Sequence, residues 1–350
     1  MNTGRPASTR LRWWWVGGSA LVLAVVVVGA VMVGPIALSP ADIVRSVVDR
    51  LPFIGLDTGL SDRSEAILWE IRMPRVVLAV LVGSMLSAAG AAYQGVFRNP
   101  LADPYLLGAG AGAGLGATVA IVYAPATSGW IIDPLPVAAF GGAIGGVALA
   151  YALGYTVRRG RTAVTLILAG VAVAAFLTAL QTFLQQRESD TLREVYGWIL
   201  GSLNTAGWGE VSLVAPYVVV CLSVVLVGRR LLDILAVGDT EAGTLGVRPG
   251  RVRLIFVVFA TLGTAAVVSV SGLIGFVGII VPHTVRLLTS ASYRVVVPIS
   301  ILLGGAFLVL ADIIARVAVA PAEIPIGVVT AIIGAPFFAV VLRTSKGITS

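Results

Sequence analysis

Long apolar runs, separated by short polar connections, dominate the chain. A transmembrane helix needs about 20 apolar residues to cross the hydrocarbon core of a bilayer. Ten segments approach that length: 13–34, 74–97, 105–124, 134–157, 163–186, 212–231, 252–270, 273–289, 295–316 and 326–342. The pattern therefore predicts an all-α, polytopic membrane protein with about ten transmembrane helices. The seventh and eighth segments are separated by so few residues that almost no loop is left between them.

The polar stretches predict short elements outside the bilayer. Two helices that do not span are expected at 40–52, where Ser39-Pro40 is typical of a helix start, and at 191–201. No polar stretch is long enough to bury a core of its own, so residues 1–350 are expected to form a single transmembrane domain. A cytoplasmic tail, an external loop and a cytoplasmic segment are expected at 1–12, 35–70 and 232–251.

The distribution of arginine orients the spans. The first apolar run is longer than the roughly 7–15 residues of a signal-peptide core, so we expect it to be retained as the first span. With the amino terminus in the cytoplasm, 16 of the 24 basic residues fall on the cytoplasmic side. Cytoplasmic loops of membrane proteins are enriched in basic residues. Both termini are therefore expected in the cytoplasm, which agrees with an even number of spans.

Composition supports lipid as the solvent for most of the chain. Hydrophobic residues make up 58% of the sequence and charged residues 12%, whereas soluble domains carry about 25% charge. The net charge of +7 reflects arginines clustered between apolar runs and is explained by topology rather than by nucleic acid. The single cysteine, Cys221, lies in an apolar run and allows neither an intrachain disulfide nor a cysteine-based metal site.

Several kinds of chemistry lack the residues they need. The only lysine, Lys346, does not follow the glycine of a phosphate-binding loop, so any ATP must be bound by another subunit. No charged residue lies clearly at mid-bilayer, where ion-coupled secondary carriers usually need one. This argues against such a carrier, although sodium carriers can use backbone carbonyls instead. One histidine, His283, near the cytoplasmic end of a span, gives little for an enzyme site and is interpreted as structural rather than as a haem ligand.

A polar segment at 238–247 stands out on the cytoplasmic side. It is punctuated by glycine and flanked by basic pairs at 229–230 and 251/253. Two short helices separated by a glycine turn would fit this pattern and could dock into a groove on a soluble partner. An ordinary polar loop is the alternative.

Six further motifs occur in order between residues 66 and 342. They are Arg72-Met73-Pro74-Arg75, 94–104, 197–203, 272–283, 310–316 and 323–338, to which the 241–246 segment adds a seventh. Together they resemble the FecCD family of permeases, the membrane subunits of ABC importers for ferric siderophores, haem and cobalamin. The family has ten spans per subunit, in agreement with the count from hydropathy.

The resemblance implies a multi-pass permease subunit in the plasma (inner, cytoplasmic) membrane, within a binding-protein-dependent ABC importer. Its expected partners are two ATPase subunits, a substrate-binding protein, a second permease copy (a homodimer) or a paralogue, and membrane lipid, with no nucleic acid. No cofactor or metal is expected on this chain, and ATP and Mg would be bound by the ATPase. An ion-coupled secondary transporter is the alternative. The cargo stays open, and the triplet at 201–203 favours iron chelates or haem over cobalamin by resemblance alone.

The resemblance also implies residue roles. Arginines on the outer face would dock an acidic surface of the binding protein: Arg72, Arg75 and Arg316. Their position against the positive-inside trend supports this, with intrachain pairing or snorkelling as the alternative. The coupling residues for the ATPase would be Asp239, Glu241, Ala242, Gly243 and Gly246. The cytoplasmic gate would comprise Asn99, Pro100, Leu101, Thr162 and Thr165.

Two glutamines near the outer end of the fifth span are candidates for the translocation path. Gln181 and Gln185 are one helical turn apart and share a face. The corresponding span lines the path in the family, and uncharged amides could contact a bulky chelate without trapping it. Hydrogen bonding between helices is an equally good explanation.

Overall fold

The computed structural model describes residues 11–34, 39–50, 59–124, 133–156 and 163–345. All regular secondary structure in these ranges is helical. The α-helices are α1 (Trp13–Met32), α2 (Pro40–Asp49), α3 (Asp62–Ala66), α4 (Met73–Phe97), α5 (Ala109–Tyr123), α6 (Pro134–Thr156), α7 (Ala163–Arg187), α8 (Leu192–Ile199), α9 (Trp208–Val237), α10 (Asp239–Thr244), α11 (Pro249–Ser271), α12 (Val277–Leu288), α13 (Tyr293–Val317) and α14 (Ile326–Ser345). A π-helix (Ile67–Arg72) joins α3 to α4, and 3-10 turns lie at Pro104–Leu107 and Ser189–Thr191.

Ten apolar helices coincide with the ten predicted segments. Seven helical stretches in the described part of the chain are long and apolar enough to cross a membrane. One is the continuous stretch Asp62–Phe97, which ends with α4, and the others are α1, α6, α7, α9, α11 and α13. Three shorter apolar helices are α5, α12 and α14. The predicted all-α, polytopic class is confirmed, as are the two short helices outside the spans, which the structure places at α2 and α8.

The eighth predicted span is only partly helical. Residues 272–276 are irregular, and α12 contributes 12 residues, about 18 Å of helix against a hydrocarbon core of about 30 Å. Gly272 and Phe276 both adopt positive φ, at 68°, which interrupts the helix. The freed backbone groups are bonded by neighbours: the Tyr105 hydroxyl donates to the Ile274 carbonyl at 3.2 Å. Such internal bonding is what allows irregular backbone among membrane helices.

Other boundaries also differ from the sequence prediction. The helix that contains α4 begins at Asp62 and runs for 36 residues to Phe97, so the end of the expected 35–70 loop is helical. The π-helix lies just before Pro74, where a proline that lacks an N–H and crowds the preceding turn is accommodated by wider winding. Helix α9 continues to Val237, so the first residues of the expected 232–251 segment belong to this helix.

Helix α4 is the centre of the fold. It packs against α9, α11, α12 and α13. Within its apolar stretch, 83% of the residues are buried. Helices α5, α6 and α7 form a second group that joins the first mainly where α6 meets α11, while α1 and α14 pack on α13. The sequence of α4 shows no polar face. A helix that is apolar all round is typically buried inside a bundle, which agrees with this central position.

Two polar contacts between neighbouring segments mark the opposite ends of the bundle. At one end, Arg75 of α4 meets Glu323, which follows α13. At the opposite end, the Ser292 hydroxyl at the start of α13 donates to Asp233 of α9 at 2.8 Å. Each pair joins segments that the charge pattern assigns to the same side of the membrane. The contacts therefore agree with the predicted alternation of spans.

Small residues bring α5 and α6 into backbone contact. Gly112 and Gly142 face each other so closely that a Cβ built on either would lie 2.1 Å from the carbonyl oxygen of the other. One turn along, a Cβ at Gly116 would lie 2.1 Å from the Ala138 carbonyl oxygen. The spacing of four along both helices is the small-xxx-small pattern of packed membrane helices.

Candidate functional site

A charged cluster forms where α4 begins and α13 ends, on the side that the charge pattern assigns to the outer face. Asp312 has a side chain that is 1% exposed, and Arg75 Nη2 lies 2.8 Å from its Oδ1. Arg316 Nε lies 3.0 Å from the other carboxylate oxygen. Arg75 also binds Glu323 with both terminal nitrogens, at 3.1 and 2.8 Å. One buried carboxylate thus pairs with two arginines from different helices, and Glu323 supplies the second negative charge.

Arg316 of this cluster and a further arginine, Arg72, donate hydrogen bonds to the last carbonyls of α1. Arg72 Nη1 donates to the carbonyl of Val31 at 2.8 Å, and Arg316 donates to the carbonyls of Val33 and Ala30 at 3.0 and 3.2 Å. The last carbonyls of a helix lack partners within it and form the negative end of its dipole. Guanidinium groups satisfy both requirements, so the cluster fastens α1 to α4 and α13.

This geometry bears on the predicted docking role of Arg72, Arg75 and Arg316. The structure brings all three together, as expected for one surface, but engages them within the chain. Arg72 is 5% exposed, and the side chains of Arg75 and Arg316 are 13% and 12% exposed. Arg75 and Arg316 pair with Asp312 within the chain, which is the alternative to docking. Docking on these arginines stays a prediction.

A cavity of about 440 Å³ opens beside the cluster. Its lining combines Arg75, Asp312 and Glu323 with Glu194 and Trp198 of α8. Close backbone contacts lie beside it: the amide of Ser202 donates to the carbonyl of Ser271, the residue before the 272–283 motif, at 2.9 Å, and the amide of Ile326 donates to the Gly201 carbonyl at 3.1 Å. Motifs that are far apart in sequence therefore meet beside this cavity.

A second cavity, of about 410 Å³, contains the predicted path glutamines. Gln181 and Gln185 are each 7% exposed and line it together with Thr178 and Thr182 of the same helix. Tyr105 and Tyr196 add to the polar lining. The sequence analysis missed the two threonines, although positions 178, 181, 182 and 185 follow the helical spacing of a single face.

An apolar groove continues from this cavity along α14. It shares Ile199 and Leu273 with the glutamine cavity. Small residues of α14 form its floor, among them Gly327, Ala331 and Ala335. In the described part of the chain, the polar cavity and the apolar groove thus make one connected surface between α7 and α14.

The predicted coupling residues surround α10. The structure contains one short helix here rather than two; it ends at Thr244, and Gly246, two residues further on, adopts a φ of 77°. Ala242 is buried, whereas Glu241, Gly243 and Gly246 are exposed. Asp239 forms ion pairs with Arg98 at 3.2 Å and Arg253 at 3.0 Å. These pairs connect the segment to the end of α4 and the start of α11.

The predicted gate residues lie at the turn after α4. The side chain of Asn99 accepts a hydrogen bond from the Leu101 amide at 3.0 Å, and the neighbouring Pro100 is exposed. Thr165 is half-buried near the start of α7, and Thr162 lies outside the described residues. Burial raises the pKa of the nearby Asp103 carboxyl to about 6, although the Tyr105 amide donates a hydrogen bond to it.

His283 contacts an aromatic side chain. Its ring packs edge-on against Phe337 of α14, with the centroids 5.9 Å apart. Within the described residues, no three His, Cys, Asp or Glu side chains are placed to hold a metal ion. A packing role for the ring fits the interpretation made from sequence.

Known proteins share both the sequence and the fold. A profile of the FecCD transport family matches residues 21–344. The cobalamin import system permease protein BtuC of Halobacterium salinarum is 42% identical over 289 residues, which cover 82% of this chain and 76% of that protein. The Fe(3+) dicitrate transport system permease protein FecD of Escherichia coli is 37% identical, with 78% of this chain and 83% of that protein covered.

One solved structure extends the likeness to the fold. It is an inward-facing conformation of a transporter classed as of the metal-chelate type, with a TM-score of 0.82 and 28% identity. The match covers 95% of this chain and all of the other. The chain therefore belongs to the FecCD transport family and is a permease subunit of an ABC importer, in which ATP hydrolysis is the task of separate subunits.

Proposed function

We propose that two copies of this permease enclose a path for a bulky metal chelate of the ferric siderophore, haem or cobalamin class. The observation that carries the proposal is the connected surface between α7 and α14. A polar cavity lined by Gln181 and Gln185 continues into an apolar groove along α14. Such a surface is open on one side, and a second copy across α7 and α14 would close it.

The chemistry of the lining suits a large chelate. Amides and hydroxyls offer hydrogen bonds without a fixed charge, so they can contact the ligand groups around a metal without holding it tightly. Affinity would reside in the binding protein, and the permease would provide passage. The relatives support this class, since their names specify import of cobalamin and of ferric dicitrate.

Uptake into liposomes that contain the permease, its ATPase and its binding protein tests the proposal. The probes are cyanocobalamin, ferric hydroxamate, ferric dicitrate and haem. Replacing Gln181 and Gln185 with leucine is expected to lower the uptake of the probe that is the natural cargo about thirty-fold, because about 1 kcal/mol is lost with each of the two hydrogen bonds to the cargo. Gln186→Leu is the matched control, since Gln186 is exposed outside the cavity. Uptake driven by a sodium or proton gradient without the ATPase would contradict the proposal and favour a secondary carrier.

We further propose that the binding protein docks over the outer cavity beside Arg75. The side chain of Arg75 is 13% exposed. Its terminal nitrogens hold the partly exposed carboxylate of Glu323, and a carboxylate of the binding protein that replaces Glu323 would find the same bidentate geometry. Arg75→Gln is expected to weaken binding-protein affinity about tenfold and to reduce its salt dependence. A variant that melts earlier but binds with unchanged affinity and salt dependence would assign Arg75 a purely structural role.

The coupling segment is proposed to seat in the ATPase. Glu241→Arg is expected to abolish the stimulation of ATP hydrolysis by loaded binding protein while leaving the melting temperature unchanged, because Glu241 is exposed and its helix is anchored through Asp239. Glu188→Arg, an exposed carboxylate on the predicted outer side, is the control for charge reversal. Normal stimulation and uptake in the Glu241 variant would show that α10 is an ordinary loop helix.

A further inference from the structure

A basic cavity lies at the cytoplasmic ends of three spans. It has a volume of about 650 Å³ and lies between the end of α6, the start of α7 and the first turns of α11. Three arginines line it: Arg248, Arg251 and Arg253. The walls between them are largely apolar and include Leu166 and Leu254. The cavity therefore combines concentrated positive charge with a surface that suits hydrocarbon.

The positive charge is only partly compensated within the described residues. Arg248 and Arg251 are exposed, and in the part of the chain that the structure describes their side chains have no ion-pair or hydrogen-bond partner. Arg253 is 5% exposed. It donates to Asp239 through Nη2 at 3.0 Å, but its Nε is buried without a partner. An unpartnered buried donor on a guanidinium calls for an acceptor, preferably an anionic one.

The start of α11 adds to this field. Arg248 is the N-cap of the helix and Pro249 its first residue. Helix N-termini carry a partial positive charge and exposed amides that favour anions. All of the positive groups thus point to the same kind of ligand.

The surroundings place the cavity at the membrane interface. Leu254 is 44% exposed and Tyr155 is 64% exposed, and both line the cavity. Tyrosine is enriched at the level of the lipid headgroups. The charge pattern assigns this end of the bundle to the cytoplasmic side, where anionic lipids are concentrated in many membranes. A soluble anion would not need the apolar walls.

We propose that this cavity binds the headgroup of an anionic phospholipid, with its phosphate on the arginines and an acyl chain along Leu254 and Tyr155. Basic pockets between spans on the cytoplasmic side bind such headgroups. Gly243 of α10 and Val247 line the same cavity. A bound lipid therefore braces the coupling segment against α6 and α7, and anionic lipid promotes coupling between the permease and its ATPase. The effect on coupling rests on the proposed function, whereas lipid binding does not.

The binding test uses the purified full chain in detergent micelles with spin-labelled phosphatidylglycerol or phosphatidylcholine. Phosphatidylglycerol is expected to bind more tightly. The double variant Arg248→Gln/Arg251→Gln is expected to lower its affinity about thirty-fold, from about 1 kcal/mol for each arginine near an anionic lipid. Arg230→Gln is the matched control, because Arg230 is also exposed and on the cytoplasmic side but does not line the cavity. Its affinity should equal that of the unmodified chain.

Three results would overturn the proposal. Equal affinity for the two lipids would mean ordinary annular contact. Displacement of the lipid by millimolar inorganic phosphate would identify a site for free anions. Unchanged lipid binding in the double variant, together with weaker binding of the ATPase subunit, would assign the arginines to the ATPase interface. Because lipid affinity is measured without cargo or ATP, failure of the importer assignment would leave this result intact.

Discussion

Asp312→Asn is expected to destabilise the protein by about 3–5 kcal/mol, because it leaves the buried Arg316 without a counter-charge and removes one of the two carboxylates that Arg75 binds. The Asp312 side chain is 1% exposed and lies within 3.0 Å of Arg75 and Arg316. Arg316 in turn holds the carbonyl end of α1. Removing the negative charge should therefore loosen both the α4–α13 contact and the attachment of α1. The melting temperature of the variant in detergent measures the effect, and it should fall below that of the unmodified chain.

The neighbouring carboxylate supplies the control. Glu323 pairs with Arg75 as well, but its side chain is 31% exposed, so water can replace it and the exposed pair is worth at most about 1 kcal/mol. Glu323→Gln should lower the melting temperature far less than Asp312→Asn. Protease access to the segment between α1 and α2 should rise only in the Asp312 variant. Equal effects of the two variants would show that burial of Asp312 does not determine the strength of the cluster.

The fold class follows from hydropathy because each span must present an apolar surface to lipid or to other spans. All ten apolar runs appear as helices, and their order is enough to place the loops on two sides. The same signal is blind to the break before α12, because residues 272–276 are as apolar as a helix. The break depends on positive φ at Gly272 and Phe276 and on a hydroxyl from Tyr105. Only the packed structure brings that hydroxyl to the Ile274 backbone.

The outer arginines show a second limit of sequence reasoning. Their charge and their side of the membrane can be read from the chain, and this suffices to single them out. Their acceptors cannot be read in the same way. Asp312 is 237 positions from Arg75, and the groups that Arg72 and Arg316 cap are backbone carbonyls of α1, which carry no side-chain signal. The same pattern of arginines thus fits an exposed docking patch and a buried clamp.

Gly142→Leu is expected to prevent α5 and α6 from packing. A Cβ at Gly142 would lie 2.1 Å from the carbonyl oxygen of Gly112 and 2.9 Å from its carbonyl carbon, and neither backbone atom can move without displacing a helix. Overpacking a tight contact costs about 1–3 kcal/mol even when side chains can adjust. A clash between two backbones should exceed that range and lower the yield of folded protein in the membrane.

The same helix offers a matched control, because Gly141 and Gly145 have no heavy atom within 4 Å of the position that a Cβ would take. Gly141→Leu replaces a glycine in the same helix with the same residue, gains about 1 kcal/mol of helix propensity and adds apolar surface toward lipid. Its melting temperature should match or exceed that of the unmodified chain, whereas Gly142→Leu should fall well below it. Gly142→Ala should lie between them, since one methyl group forces a smaller separation of α5 and α6. If Gly141→Leu and Gly142→Leu were equally harmful, loss of glycine itself would be the cause, and the close contact between α5 and α6 would not explain the effect. The contrast isolates one contact because propensity, hydrophobicity and depth in the helix are nearly constant across the series.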